Sequence, residues 1–195
     1  AYVRLSKTMI FQDIFKTGVL IVKLKQDLPS IRKFCLDYQK KNKSRQRSNP
    51  TGYQSEDVRN RLQIKSLVKD INKYCKIYLT EVLSSKDKPN LNHMWFNINY
   101  YKDYNDTHCH PFNKIAGVFY VSCPKNCGDI VFKNPTLMDS FYKANEQSKF
   151  TEYNSSSWYM PAEENALYLF PAWLYHKVRP NLSKQPRISF SFNVD

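Results

Sequence analysis

The sequence predicts an α+β fold, a jelly roll or sandwich of short strands braced by N-terminal helices. Three observations carry that prediction. Apolar residues recur at steps of three and four through residues 56–84, the period becomes two from residue 94 onward, and turn-forming residues punctuate the later runs. With 195 residues the chain is expected to form one domain that buries its own core without disulfides. That domain runs over 1–195, with 1–90 as mostly helical support and 91–195 as the β core that carries the site.

Taken in order, Val19, Leu20, Ile21 and Val22 form a β-branched-rich run suited to a strand. Pro29-Ser30 then opens a helix with Ile31, Phe34, Cys35 and Tyr38 on one face. Ile64, Leu67, Val68, Ile71, Cys75, Tyr78 and Val82 predict an amphipathic helix over 56–84. Strands are expected at Met94–Tyr101, Thr107–His110, Gly117–Ser122, Asp129–Phe132, Ala166–Phe170 and Arg187–Asn193. In the last of these Ile188, Phe190 and Phe192 alternate with Arg187, Ser189, Ser191 and Asn193, so one face meets a core and the other something polar. The polar, turn-rich stretch Lys133–Met160 is long enough to act as a lid over a site, and it and the N-terminal helices are the elements expected to face a substrate.

Composition narrows the class. A hydrophobic share of 42% and an aromatic share of 15%, with 4 Gly, exclude low-complexity and disordered chains. The 5 cysteines are scattered, which points to a reducing cytoplasm, or a host cytoplasm for a viral chain. Cys123 and Cys127 read as a turn between strands, since no second pair completes a zinc site. No apolar run approaches the roughly 20 residues of a membrane helix, and the first residues lack the order of a signal peptide. A net charge of +13 invites an acidic partner such as nucleic acid, but the densest basic run, Lys40–Arg47, falls in an expected solvated loop, so nucleic acid is not favoured.

Chemistry concentrates in the histidines. His108 and His110 lie two apart on an expected strand, where side chains point the same way roughly 7 Å apart and two imidazoles can converge on one ion. A pair of surface histidines beside Pro111 is the alternative. His176 follows the run Leu169-Phe170-Pro171-Ala172-Trp173-Leu174-Tyr175 and precedes Arg187-Ile188-Ser189. His93 has no partner at ligand spacing and is expected to be a surface or packing residue.

In order and spacing these segments, with Trp95-Phe96-Asn97, Ala116-Gly117-Val118-Phe119-Tyr120-Val121 and Ser48-Asn49-Pro50-Thr51-Gly52-Tyr53-Gln54-Ser55, make the chain resemble the iron(II)/2-oxoglutarate-dependent oxygenases. The resemblance is to their bacterial and phage branch and to prolyl-hydroxylase-like members. It implies a double-stranded β-helix, cupin-like, with Fe(II) at its mouth, 2-oxoglutarate as cosubstrate and O₂ as oxidant. By this resemblance His108, His110 and His176 hold the metal, and Arg187, with Ser189 and Tyr120, holds the distal carboxylate of the oxoacid. One departure stands out: the second ligand of the family is a carboxylate, whereas the matching residue is His110. Asp106 is the fallback for that ligand, Asp129 is a further candidate, and Trp173 and Tyr175 could wall the pocket.

The reaction implied is oxidative decarboxylation of 2-oxoglutarate to succinate coupled to hydroxylation, of a protein or peptide side chain with proline as first precedent, or of a small molecule. Two other readings stay open: a three-histidine, cupin-like dioxygenase that does not use 2-oxoglutarate, and a non-catalytic jelly-roll binding module.

Overall fold

The computed structural model describes residues 2–4, 10–45, 47–136 and 149–195, and for 2–4, 10 and 11 the backbone alone. Residues 137–148 of the expected lid segment Lys133–Met160 lie outside the described residues.

Twelve strands and two helices are described: β1 (Tyr2–Arg4), β2 (Ile10–Gln12), β3 (Leu20–Lys23), α1 (Leu28–Lys41), β4 (Tyr53–Gln54), α2 (Lys65–Glu81), β5 (Leu91–Asn99), β6 (Asn105–His108), β7 (Ile115–Ser122), β8 (Ile130–Lys133), β9 (Ser157–Met160), β10 (Ala166–Pro171), β11 (His176–Val178) and β12 (Arg187–Val194). A six-stranded sheet runs β3-β10-β7-β12-β5-β4 and a four-stranded sheet β6-β11-β8-β9, while β1 and β2 pair separately. This is a double-stranded β-helix of the α+β class, and every ladder in it is antiparallel. Among the described residues no helix is long and apolar enough to cross a membrane.

The alternation within the long strands divides the interior in two. Ile188, Phe190, Phe192 and Val194 of β12 join Met94, Phe96 and Ile98 of β5 against the helices. Val118 and Tyr120 of β7 and Tyr168 and Phe170 of β10 point the other way, into the space between the sheets. Arg187, Ser189 and Ser191, on the opposite face of β12 from its apolar residues, line that same space. Two-period patterning therefore places the polar face of β12 inside the β-helix rather than in solvent. Gly117 makes the β7–β12 contact possible, because a Cβ there would sit 2.3 Å from Cζ of Phe192.

The helices form where their apolar faces meet the outer surface of the large sheet. In α1 the Asp27 carboxylate accepts the Ser30 N–H at 3.2 Å, Pro29 occupies the first turn where a missing N–H costs nothing, and Leu28, Ile31 and Cys35 are buried. In α2 Leu67, Ile71, Cys75, Tyr78 and Leu79 are buried. The helix begins at Lys65, not at residue 56 as the periodicity suggests. Residues 55–58 run beside β5 instead, with the Ser55 and Val58 N–H groups donating to the Phe96 and Met94 carbonyls at 3.0 and 2.8 Å. Sheet hydrogen bonds override helix propensity there. The first 90 residues also supply β3 and β4 to the two edges of the large sheet, a contribution beyond helical support.

Candidate active site in the mouth of the β-helix

Neighbouring strands of the small sheet bring two of the histidines together. His176 is the first residue of β11 and pairs directly with His108, the last of β6, and with Phe132 of β8 on its other side. The two imidazoles lie 4.4 Å apart. His110 arrives differently from the expectation. The strand ends at His108, and His110 sits beyond it, its N–H donating 2.8 Å to the Ala172 carbonyl. Pro111 cannot continue a ladder, and the turn after it, with Phe112 at φ 66°, is closed by the Asn113 side-chain amide, which donates to the His110 and Pro111 carbonyls at 3.3 and 2.8 Å. The ring of His110 nevertheless stacks 5.2 Å from that of His176, with an interplanar angle of 14°.

One ring nitrogen from each of His108, His110 and His176 lies within 4.8 Å of the others, so the three could hold a single metal ion. Backbone carbonyls set two of the rings. Nδ1 of His108 lies 2.6 Å from the Asp106 carbonyl and Nδ1 of His176 lies 2.9 Å from the Leu174 carbonyl. Donation at Nδ1 leaves each Nε2 as a lone pair for an ion. Burial pushes all three imidazoles toward the neutral form: His110 down to about 4 and His176 to about 3, each assisted by His108, and His108 downward against the Asp106 carbonyl. Neutral imidazole is the form that binds metal.

Asp106 contributes through its backbone. Its carboxylate is outside the set of donors that come together, and the residue is exposed. Asp129 faces Arg179 at 3.6 Å. His93 lies apart, 3.7 Å from Asp57 and against the Trp95 ring. Trp173 and Tyr175 do not wall the cavity: they lie in the turn between β10 and β11 and are 53% and 55% exposed.

Deeper in the same cavity stand Arg187, Ser189 and Tyr120. Ser189 and Tyr120 are direct cross-strand partners on β12 and β7. Arg187 is 1% exposed. Its Nη1 donates to the Cys127 carbonyl and to that of Arg179 at 3.1 Å, whereas Nη2 is buried with no partner. The Tyr120 hydroxyl is likewise buried and unpartnered, and burial raises its pKa, so it stays a proton donor. Two orphaned donors, one cationic, face a space that must supply an acceptor. A carboxylate meets that need, and three neutral nitrogens at the mouth suit a divalent ion, so the residues present fit both iron(II) and an oxoacid.

In the sequence, Trp95-Phe96-Asn97 counted only as part of the resemblance, and the polar face of β5 was given no role in the site. Asn97 lines the cavity: it is buried, its Oδ1 has no partner among the described residues, and its Nδ2 donates to Ser191 Oγ at 3.3 Å. Trp95, two residues earlier, stands 6.1 Å from the His110 ring. The alternation of these residues with Met94, Phe96 and Ile98 was the available signal.

A family model described as "Putative 2OG-Fe(II) oxygenase" matches residues 93–193. No curated protein matches the sequence. Among solved structures, a prolyl-4-hydroxylase from Pseudomonas putida is similar at 9% identity and a TM-score of 0.63, over 91% of this chain and 92% of that one. HygX from Streptomyces hygroscopicus, with nickel and 2-oxoglutarate bound, gives 10% identity and 0.62 over 91% and 82%. The viral collagen prolyl hydroxylase of Paramecium Bursaria Chlorella virus-1 gives 12% and 0.57 over 90% and 94%.

Proposed function

The chain belongs to the 2OG-Fe(II) oxygenase family and is an iron(II)- and 2-oxoglutarate-dependent oxygenase, and on that premise we propose that it hydroxylates a protein or peptide side chain, prolyl first, with iron on His108, His110 and His176. The observation that carries the assignment of residues is the shared cavity: three converging imidazole nitrogens above two unpartnered donors, Arg187 Nη2 and Tyr120 Oη.

Bound iron and 2-oxoglutarate supply oxidative decarboxylation of the oxoacid to succinate and CO₂, coupled to oxidation of a substrate C–H bond by O₂. The chain's own residues prepare that chemistry. His108 and His176 present Nε2, each held in one tautomer by a backbone carbonyl. Arg187 meets the far carboxylate with Nη2 while Nη1 stays anchored on the Cys127 and Arg179 carbonyls, so the guanidinium is positioned before the ligand arrives. Tyr120 adds a neutral O–H donor, and the Ser189 hydroxyl lies opposite it on the next strand. Ile130, Phe170 and Val118 supply the apolar part of the cavity wall and limit water.

A polypeptide substrate is supported by the names of structural neighbours: prolyl hydroxylases, one of them from Trichoplax adhaerens in complex with a hypoxia inducible factor degradation-domain peptide. Five free cysteines favour a cytoplasmic setting, and the whole of 1–195 acts as one unit with α1 and α2 bracing the large sheet. The test is anaerobic titration of iron(II)-loaded protein with 2-oxoglutarate, then addition of O₂ with proline-containing peptides. Succinate release with gain of one oxygen atom on proline is the expected result; absence of 2-oxoglutarate binding to the metal-loaded protein overturns the assignment of residues, and turnover confined to small molecules overturns the substrate.

A further inference from the structure

The turn between β7 and β8 carries two thiols that the oxygenase reaction does not use. Cys123 is half-buried just past the end of β7, and Cys127 is buried at the far side of the turn, closed by a 3.0 Å bond from the Cys127 N–H to the Pro124 carbonyl. The two thiols are hydrogen-bonded to each other. The same turn grips the proposed oxoacid anchor, because Arg187 Nη1 donates to the Cys127 carbonyl. The remaining cysteines sit elsewhere: Cys35 and Cys75 in the helical core, where burial pushes their thiols up, and Cys109 beside Tyr175.

We propose that Cys123 and Cys127 are an oxidation site that closes reversibly to a disulfide, and that closure weakens the hold of Arg187 on 2-oxoglutarate. The second half rests on the role given to Arg187 above. Cys127 is the attacking sulfur, its thiol drawn down by the hydrogen bond from Cys123 and, further, by the charge of Arg187, whose guanidinium it holds through its carbonyl. Its thiolate attacks a hydroperoxide, an S–O bond forms, the O–O bond breaks, and the leaving alkoxide takes a proton to become an alcohol. The Cys123 sulfur then attacks the sulfenic sulfur, the S–O bond breaks, and hydroxide leaves as water with the Cys123 proton. Two thiols and one hydroperoxide become one disulfide, one alcohol and one water, and the two electrons lost by sulfur reduce the O–O bond.

A disulfide holds its sulfurs about 2 Å apart, nearer than two thiols sharing a hydrogen bond, so the turn contracts and carries the Cys127 carbonyl with it. Arg187 then loses one of the two carbonyls that orient Nη1, keeping only that of Arg179, and Nη2 shifts from the position that meets the carboxylate.

The experiment uses the full chain loaded with manganese(II). It is treated with tert-butyl hydroperoxide, then digested without reduction and weighed, and its Kd for 2-oxoglutarate is measured at pH 6, well below the ordinary thiol range, so that loss of thiolate charge contributes little. The expected result is one Cys123–Cys127 linked peptide, lighter by two hydrogen atoms, and a Kd weakened at least about five-fold, the lower end of ordinary coupling between sites, with dithiothreitol restoring it. Cys123→Ser should form no such link and keep its Kd after peroxide; Cys123→Ala stands in if the serine variant does not fold. Over-oxidation of Cys127 without a disulfide, or a disulfide with unchanged Kd, overturns the proposal. A reduced protein that forms the link yet never binds 2-oxoglutarate overturns instead the role of Arg187 in the proposed function.

Discussion

His176 lies directly across the ladder from His108, and the pairing of β11 with β6 sets their rings 4.4 Å apart. Such a site is preorganised by the sheet for two donors and by a turn for the third. His108→Ala or His176→Ala should lower manganese(II) affinity at least about 100-fold, beyond what loss of a supporting residue costs. His110→Ala should match them in calorimetric titration. Retained affinity in that variant would mean that the third donor lies elsewhere.

Proton competition for the metal should be late. All three imidazoles are held below the ordinary value, His110 down to about 4 and His176 to about 3, so the fall of metal affinity with acid should set in at lower pH than at an ordinary histidine site. An ordinary histidine would begin to lose metal near 6.5. The same depression sets the acid stability of the metal-free chain. Below 6.5 the unfolded state takes up protons that the folded site refuses, so stability falls as pH drops from 6.5 toward the folded values. Urea midpoints of metal-free protein at pH 7 and pH 5 should differ in that direction, and the difference should shrink in His110→Gln.

How much of this was legible follows from element length. The eight residues of β12 show their two-period pattern in full, so Arg187 and Ser189 could be placed on a polar face without coordinates. β11 is three residues and β4 two, too short for any period to register, and both went unread. The start of α2 was misplaced: the apolar spacing begins only at Ile64, and upstream of it the Ser55 and Val58 N–H groups bond to β5. His110 was expected on the strand with His108; the turn beyond that strand, not the strand, brings its ring beside His176.

Arg187→Lys separates charge from geometry. A lysine keeps the positive charge, but one ammonium cannot hold two backbone carbonyls and also offer a fork to a carboxylate. Affinity for 2-oxoglutarate should fall at least about ten-fold while manganese binding is kept, since a bidentate charged contact exceeds a single one by 1.4 kcal/mol or about that. Leaving the Cys127 and Arg179 carbonyls under-bonded should also cost about 1–3 kcal/mol in chemical denaturation.

Gly117→Val should damage the fold without touching the donors of the site. The new Cβ would meet Cζ of Phe192 at 2.3 Å and Cδ2 of Leu169 at 2.9 Å, both inside the core under the helices. Overpacking of this kind costs about 1–3 kcal/mol or more. Pairing it with Phe192→Leu, which shortens the obstructing ring, should recover part of the loss in thermal melts, and a double variant no more stable than Gly117→Val alone would count against the contact.

Tyr120→Phe should weaken binding and spare stability. The hydroxyl has no partner among the described residues, so its loss breaks no bond inside the chain and should change unfolding stability by about 1 kcal/mol or less. An oxoacid in the cavity would accept from the same hydroxyl, kept protonated by burial, and its loss should weaken 2-oxoglutarate about ten-fold, the equivalent of one lost hydrogen bond to a charged group. Melting curves with and without 2-oxoglutarate in the presence of manganese(II) read both effects: without the ligand the variant should melt close to the parent, and it should gain less from the ligand. A hydroxyl that serves only packing would lower the first curve and leave the ligand increment unchanged.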